Sequence, residues 1–457
     1  MNRRTSFRAT DVRIAEWQLF VLIFILAFLL RVFALSRYWS DLNLDPDVYL
    51  ALAQGLADGR GYSAPGTDIP TAFRPPLYPL LLMGVSAPDQ KLGRALLQLV
   101  LSLATIPVIW LTARNLGLSR IGRLFATACL AVDPLLIRYV PYPMTETFCG
   151  LLIACLLLCV TRSGPATWKS GFVTGITFGL CVLSRPTFWA AGFLFGAAAL
   201  LHLWLDRAKL GAESKMRRTS QWNSLIAVLV GVALCVTPWV VRNAIQLKSP
   251  ILMTTHGGYT LLLGNNDAFY EEVVRQPFGT IWDGSRGPGQ NAWVTQINQE
   301  MEAQSIRSEI EQDRWMSQRA WSTIFAQPAT AIQAALLKFC WFWNIAPHAA
   351  ADQTTPQAVR WVVSLYYSGL WLCLIAGILN QIRRIRLDES ANRGWEYPLL
   401  LILAMSLAHL LYWSDARMRA PVMPAVALLA ASGAGVLWRR VLPVSSLADR
   451  ESIPPAQ

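Results

Sequence analysis

Apolar residues run through this chain in long, almost unbroken stretches separated by short basic gaps. Trp17 to Leu35 is nearly continuous apolar sequence, and a helix needs about 20 such residues to cross a hydrocarbon core. Stretches at 95–113, 121–137, 147–160, 171–184, 187–204, 223–240, 358–380, 396–413 and 420–438 read the same way, each near the spanning length. Together they predict an all-α polytopic membrane protein with about ten transmembrane helices, in a range of roughly nine to thirteen. The competing reading of the first stretch is a cleaved signal peptide, because Ala34-Leu35-Ser36 is a small-residue cleavage pattern. The run is long for such a segment.

Charge then orients the spans. Arg3, Arg4, Arg8 and Arg13 precede the first one, which places the N-terminus in the cytoplasm by the positive-inside rule. Alternating from there, the inner loops hold Arg114, Arg120 and Arg123; Arg162 and Lys169; Arg207, Lys209, Lys215, Arg217 and Arg218; Arg383, Arg384, Arg386 and Arg393; and Arg439 and Arg440. Counting Pro328 to Ile345 as a further span would put the Arg383–Arg386 cluster outside. That segment is therefore expected to lie in the outer interface, with Trp341-Phe342-Trp343 as its aromatic anchor. Leu77–Val85 is too short to span and reads as a second interfacial or re-entrant piece.

The predicted organisation is a cytoplasmic N-terminus (1–16), a transmembrane module (17–240) whose first outer loop is 36–94, a long outer loop (241–357) containing the interfacial helix 328–345, a second transmembrane module (358–438) and a cytoplasmic tail (439–457). Residues 267–327, rich in Glu, Gln and Arg, form a candidate outer helical subdomain. Neither an internal repeat nor a low-complexity tract is visible.

Composition agrees with this placement. Of 457 residues, 54% are hydrophobic and only 15% charged, too apolar for an ordinary soluble protein. The 19 Trp and 12 Tyr suit many membrane interfaces. The formal charge of +12 is spread over inter-span gaps, so it reports topology and implies no nucleic-acid partner. The eight cysteines lie in or beside apolar stretches without a CxxC pair, which argues against a disulfide framework or a cysteine metal site.

Candidate chemistry concentrates in the first outer loop, with Asp41, Asp45, Asp47 and Tyr49, then Gly59-Arg-Gly61-Tyr62, then Arg74-Pro-Pro-Leu-Tyr78-Pro79. Locally, Asp45 and Pro46 read as the N-cap and N1 of a short surface helix, so the carboxylate has a purely structural reading too. Glu146 begins another helix, where the dipole alone explains an acid. His202 and His409 lie in apolar segments and are expected to be packed, and His256 beside Gly257-Gly258 reads as a loop residue.

These segments, taken in order, resemble the GT-C glycosyltransferases of the protein O-mannosyltransferase and aminoarabinose transferase type. The resemblance rests on Asp45-x-x-x-Tyr49-x-x-x-Ala53, Gly59-x-Gly61-Tyr62 and Arg74-Pro-Pro-x-Tyr78-Pro79, then on Arg138-Tyr-Val-Pro-Tyr142-Pro-Met-Thr-Glu146. It continues through Pro238-Trp239-Val-Val-Arg242-Asn243, Gly257-Gly258-Tyr259, Gly264-Asn265-Asn266 and Asp415-Ala-Arg417-Met-Arg419-Ala-Pro421. It runs along most of the chain; each motif is weak alone, and their order makes the set specific. It implies a GT-C-like fold in a multi-pass plasma membrane, the bacterial inner membrane, with the active site extracytoplasmic. The donor implied is a polyprenyl-phosphate-linked sugar, held among membrane lipids, and the reaction inverts the anomeric centre. Asp45 is the implied base, with Asp47 as fallback. Arg74 and Arg417 are the implied lipid-phosphate ligands, since a planar guanidinium suits phosphate and keeps its charge. Snorkelling at a helix end or packing on the Pro-Pro turn are their structural alternatives. Glu146 is the implied supporting acid, orienting an acceptor or a divalent cation. Tyr49, Tyr78, Tyr139, Tyr142, Arg185, Asn265 and Asn266 are cavity-lining candidates. The family commonly adds an outer soluble domain after the spans, whereas the tail past Arg440 is short here, which leaves the acceptor open among lipid, polysaccharide and protein. A polysaccharide polymerase or ligase, and a lipid-linked sugar flippase, are the alternatives. A flippase calls for polar residues near the midplane and two related halves, and neither is evident.

Overall fold

The computed structural model describes residues 7–162, 164, 166–205, 212–346, 356–386 and 394–441. The remainder, which includes the start of the N-terminal segment, Arg207, Lys209, Arg393 and nearly all of the tail, lies outside the described residues.

Each of the ten apolar stretches overlies a helix. Helix α1 (Phe7–Arg37) is followed, through a 3-10 turn at Trp39–Asn43, by the short α2 (Tyr49–Ala57) and α3 (Leu77–Leu82) of the first loop. Then come α4 (Lys91–Asn115), α5 (Arg120–Val132), α6 (Pro134–Arg138), α7 (Thr145–Val160), α8 (Trp168–Ser184), α9 (Phe188–Leu205) and α10 (Ala212–Gln246). A separate layer holds α11 (Gly257–Leu263), α12 (Asp267–Phe269), α13 (Gly289–Ala303), α14 (Glu309–Ala326) and α15 (Pro328–Phe342). Helices α16 (Gln357–Arg386), α17 (Glu396–Leu411) and α18 (Met423–Val441) complete the chain.

The sequence pattern erred on length. Six of these helices are long and apolar enough to cross a membrane, while α7 and α17 are apolar but shorter. The stretch 121–137 is two helices rather than one. Asp133 takes an extended backbone, its side chain accepts from Leu136 N at 2.9 Å, and Pro134 opens α6; a proline cannot donate the bond that would have continued α5. Asp133 also accepts from Tyr367 Oη at 3.1 Å, so α16 holds the break in place.

Where helices touch without a hydrophobic drive between them, small residues let the backbones approach. Helix α8 carries Gly171, Gly175 and Gly179 on one stripe against α10, and a Cβ on Gly175 would lie 2.2 Å from Val228 O. Between α16 and α18, a Cβ on Gly377 would meet Leu429 O at 1.9 Å, and one on Gly433 would meet Cys373 O at 1.9 Å.

The two ends of the bundle are distinct. At one, Arg123 holds Glu16 with two bonds of 2.8 Å, Trp395 Nε1 donates to Leu116 O at 3.2 Å, and His202 meets Glu396 at 3.2 Å. At the other, the loops that charge alternation assigns outside converge. Arg242 at the end of α10 donates to Thr71 O at 2.7 Å, and Glu309 of α14 accepts from Thr71 Oγ1 and from Ala72 N at 2.8 Å. The layer of α11 to α15 has its own core of Leu261, Phe269, Tyr270, Trp282, Trp293, Ile297 and Trp341, with Trp413 packed on it.

The aromatic end of α15 is not an anchor. Trp341 and Phe342 are buried, and Trp343 donates to Ser406 Oγ of α17 at 3.2 Å, so these rings face the protein.

Gly377→Leu should overpack the α16–α18 contact by about 1–3 kcal/mol and lower the thermal unfolding midpoint in detergent, measured by tryptophan fluorescence. Gly369→Leu, in open space on the same helix, should leave the midpoint unchanged.

Candidate active site at the loop-bearing end of the bundle

The first loop is shaped by its own backbone chemistry. Gly59 and Gly61 have φ of +78° and +72°, a region that suits glycine, and they turn the chain so that Tyr62 comes back onto the Arg74-Pro75 segment. Tyr62 Oη donates to Arg74 O at 2.9 Å. Arg242 stacks over the rings of Tyr62 and Trp239, at 5.6 and 5.1 Å to their centroids, and donates to Tyr62 O. Arg94, buried at the foot of α4, donates to Leu42 O at 2.8 Å and to Val85 O and Ala87 O at 2.6 Å each, closing both ends of the loop.

Asp45 and Pro46 are not the N-cap and N1 of α2. The helix starts three residues later, at Tyr49, with Val48 as the preceding residue in the left-handed region (φ +58°). Asp45 nonetheless serves the helix end. Its two carboxylate oxygens accept from Leu50 N at 3.0 Å and Ala51 N at 2.8 Å, donors that α2 itself leaves unused. Burial pushes its carboxyl above the ordinary aspartate range, against the backbone bonds that pull it down and with a smaller push from Asp47. A β-branched residue at positive φ is strained. Here the strained residue directly follows Asp47, whose carboxylate meets Arg74 and Arg417 and not the helix end.

Asp47 faces a row of alternating charges. Its Oδ1 accepts from Arg74 Nη2 at 2.9 Å, while Arg74 Nε reaches Asp47 O at 3.1 Å. Its Oδ2 lies 3.3 Å from Arg417 Nη1. Arg417 Nε lies 3.4 Å from Glu146 Oε1, an ion-pair distance without hydrogen-bond geometry. The same Glu146 oxygen accepts from Arg185 Nη2 at 3.1 Å. The row Arg74, Asp47, Arg417, Glu146, Arg185 thus joins the first loop, the turn before α18, the start of α7 and the α8–α9 turn. Glu146 is 1% exposed, and its Oε2 and Arg185 Nη1 are buried without a protein partner. Asp415 accepts from Arg417 N at 2.8 Å and sets the turn that carries this arginine.

Other sequence candidates surround or miss this row. Tyr49 lies under the Arg74 guanidinium, 5.6 Å from its ring centroid, and meets Tyr78 edge-on at 5.3 Å. Tyr78 is fully buried and its hydroxyl accepts from Gln98 at 3.0 Å, so it supports Tyr49 from below. Tyr142 accepts from Arg138 at 2.6 Å and packs against Tyr139 at 5.6 Å. Asn265 and Asn266 are elsewhere. Asn266 caps α12 through Phe269 N, and Asn265 ties Leu261 O to Leu411 O. His409 bonds Trp413 O at 3.1 Å. His256 is wedged between Phe73 and Tyr259, and burial, with Arg74 adding to it, holds it well below the ordinary imidazole range.

Arg185, a cavity-lining candidate in the sequence, terminates the charge row; its signal is an arginine among apolar residues. Glu309 gave none, because its partner Thr71 is 238 residues away.

Residues 84–248 match the family model described as dolichyl-phosphate-mannose-protein mannosyltransferase. No curated protein matches the chain. Among solved structures, the chain resembles the oligosaccharyltransferase AglB from Archaeoglobus fulgidus, solved with an inhibitory peptide and a dolichol-phosphate. That likeness has a TM-score of 0.53 at 14% identity and covers 99% of this chain and 53% of that one. The apo form of the Archaeoglobus fulgidus oligosaccharyltransferase gives 0.52 at 15% identity over 93% and 51%. The chain has the GT-C glycosyltransferase fold. The chain spans about half the length of those two structures. ArnT from Cupriavidus metallidurans, bound to undecaprenyl phosphate, aligns at 13% identity over 91% of this chain and 77% of that one, with a TM-score of 0.38.

A divalent cation does not fit this row. Its two acids, Asp47 and Glu146, are bridged by the Arg417 guanidinium, which fills the place a metal would take. No group of three or more His, Cys, Asp or Glu among the described residues converges as a ligand set.

Arg417→Ala leaves the buried Glu146 with Arg185 alone and removes half of the Asp47 pairing, and should cost about 1–3 kcal/mol, read as a lower unfolding midpoint. Arg417→Ala with Glu146→Gln should cost less than the sum of the two single changes, because the two side chains share one interaction.

Proposed function

We propose that the chain transfers a single sugar from a polyprenyl-phosphate carrier to an acceptor hydroxyl at the extracytoplasmic face of the membrane, with inversion at the anomeric carbon. The observation that carries this reading is the charge row at the outer end of the bundle. Three arginines stand on fixed elements, two of them joined through Asp47, where a leaving phosphate needs cations that do not reorganise. The solved AglB structure holds a dolichol-phosphate, a ligand of the same chemical class.

In this scheme Asp45 is the base. Its two backbone bonds fix the carboxylate, yet each oxygen keeps a second lone pair for an acceptor hydroxyl. Burial raises its affinity for a proton, and among the described residues no ion pair opposes that. The acceptor oxygen attacks the anomeric carbon as its proton passes to Asp45, and the bond from that carbon to the phosphate oxygen breaks. The phosphate leaves with one more negative charge, beside Arg74 and Arg417, whose charge-assisted bonds strengthen as that charge grows. Asp47 is an unsuitable base because two guanidiniums hold its oxygens. Its role is to keep those guanidiniums in place and turned toward the donor.

Separate Asp45→Asn and Asp47→Asn variants, assayed for sugar release from radiolabelled polyprenyl-phosphate sugars in proteoliposomes, test the assignment. Asp45→Asn should lower kcat by roughly 10²–10⁴-fold, while Asp47→Asn should act mainly through KM for the donor. The wild-type acid limb of kcat/KM should lie above the ordinary aspartate range, since a base must be deprotonated and this one is raised. Full activity of Asp45→Asn together with loss in Asp47→Asn would transfer the role to Asp47. Full activity in both would sink the mechanism.

A further inference from the structure

The side-chain contacts of Arg417 are all long. Asp47 Oδ2 stands 3.3 Å from it, Glu146 Oε1 3.4 Å and Met144 Sδ 3.7 Å, against the roughly 2.7–2.9 Å of a charge-assisted hydrogen bond between nitrogen and oxygen. Its position therefore also depends on the backbone that carries it, the 3-10 turn Ala416–Val422. Asp415 fixes the near end of that turn by accepting from Arg417 N at 2.8 Å. The other side is fixed by a second arginine, one that the proposed transfer does not use.

Arg419 lies two residues further along, and a helix of about three residues per turn sends two such side chains to different sides. Arg417 is on the side of the charge row, whereas Arg419 is only 2% exposed. Arg419 Nη1 donates to Phe342 O at 3.0 Å and to Asn344 O. Phe342 is the last residue of α15, and the carbonyls at a helix end lack intrahelical donors and carry the negative end of the dipole. The guanidinium lies over the rings of Tyr367 and Trp371, at 4.2 and 5.2 Å to their centroids. These rings, four residues apart on α16, stack on one another at 5.4 Å. Tyr367 is held in turn by donating to Asp133 at 3.1 Å.

Packing alone does not call for an arginine here. Burying a guanidinium is costly, and an apolar side chain of similar volume is often as stable or more so in such a place. What the arginine adds is direction. Its planar fork reaches the end of α15 while its face lies on α16, so the turn can sit at one height only. Phe342 and Tyr367 both belong to the core of the bundle, and the turn is thereby registered to the bundle.

We propose that Arg419 is a positioning residue for the donor phosphate: it locks the turn Ala416–Val422 to α15 and α16 and so sets where the Arg417 guanidinium stands. The inference rests on Arg417 being a phosphate ligand, as in the proposed function. Arg419 itself, buried on the other side of the turn, does not touch the donor.

Binding tests this without sugar transfer. Undecaprenyl phosphate and the uncharged alcohol undecaprenol are titrated into the full chain in nanodiscs and followed by microscale thermophoresis. The wild-type chain should bind the phosphate more tightly than the alcohol. Arg419→Met should weaken the phosphate roughly tenfold and leave the alcohol unchanged, whereas a merely structural role would weaken both alike. Arg417→Gln should show the same phosphate-specific loss, and adding Arg419→Met to it should bring no further loss, because one side chain acts through the other. Losses that multiply in the double variant would overturn the positioning role, as would equal weakening of both lipids. Arg419→Lys guards against a methionine variant that does not fold: it keeps the charge at the end of α15 without the planar fork, and its preference for phosphate should fall between those of wild type and Arg417→Gln, with full preference counting against the proposal. A wild-type chain that binds the two lipids equally would remove the phosphate reading of Arg417 and this inference with it. A preference retained in full by Arg419→Met removes the inference alone.

Discussion

A buried carboxylate in a medium of low polarity must have a cation beside it, and in this protein that demand falls on Glu146. It is almost wholly enclosed at the start of α7, and its Oε1 is shared between Arg185 and Arg417. Arg417 cannot serve Glu146 without also reaching Asp47, and Asp47 in turn fixes Arg74. One acid's need for charge thus sets the positions of four side chains from three separate segments. Paired burial of this kind contributes little net stability, because desolvation offsets the attraction. Its product is geometry: three guanidiniums held at one end of the bundle with nitrogens to spare.

That geometry depends on a bundle whose helices cannot slide. The glycine stripes between α8 and α10 and between α16 and α18 bring backbone against backbone, and contacts at van der Waals distance admit only one register. Arg31, buried in α1, adds a polar lock by donating to Ser102 Oγ at 2.7 Å and to Leu130 O and Ala131 O at the end of α5. These are the carbonyls that the Asp133-Pro134 break leaves without intrahelical donors. An arginine inside a span is costly unless every donor finds an acceptor, and the break in α5 supplies the acceptors that make Arg31 tolerable.

Hydropathy made the ten helices legible because a long apolar run has one physical use in a charge-poor chain. Helix length was less legible, since α5 ends at a proline inside the apolar run. Orientation was least legible of all. Trp341-Phe342-Trp343 has the composition of a membrane anchor, yet its rings pack against α17, and which face of α15 meets protein depends on a partner helix some seventy residues on. In the first loop, Asp45 and Asp47 were both visible as acids beside the membrane. What divides them is the backbone: Val48 in the left-handed region hands one carboxylate to the helix end and the other to the arginines, and no residue count reveals a positive φ at a valine. Glu309 and Arg242, which fix the far side of that loop, are ordinary surface residues until the fold brings Thr71 to them.

Their placement also explains why a loop of such mixed content can hold a site. Loops usually position chemistry less well than helices, but this one is tied down at nearly every turn. Arg94 closes its two ends, Asp45 fixes α2, Tyr62 holds the Arg74 carbonyl, and Arg242 and Glu309 grip Thr71 and Ala72 from α10 and α14. The last grip matters most for the chain as a whole. Glu309 opens the long helix α14, so the segment bearing Arg74 and the layer of α11 to α15 belong to one continuous support. A shift of that layer relative to the bundle would therefore move Arg74 relative to Arg417, which is anchored separately just before α18. The distance between the two arginines is thus set jointly by the bundle and by the layer packed on its end.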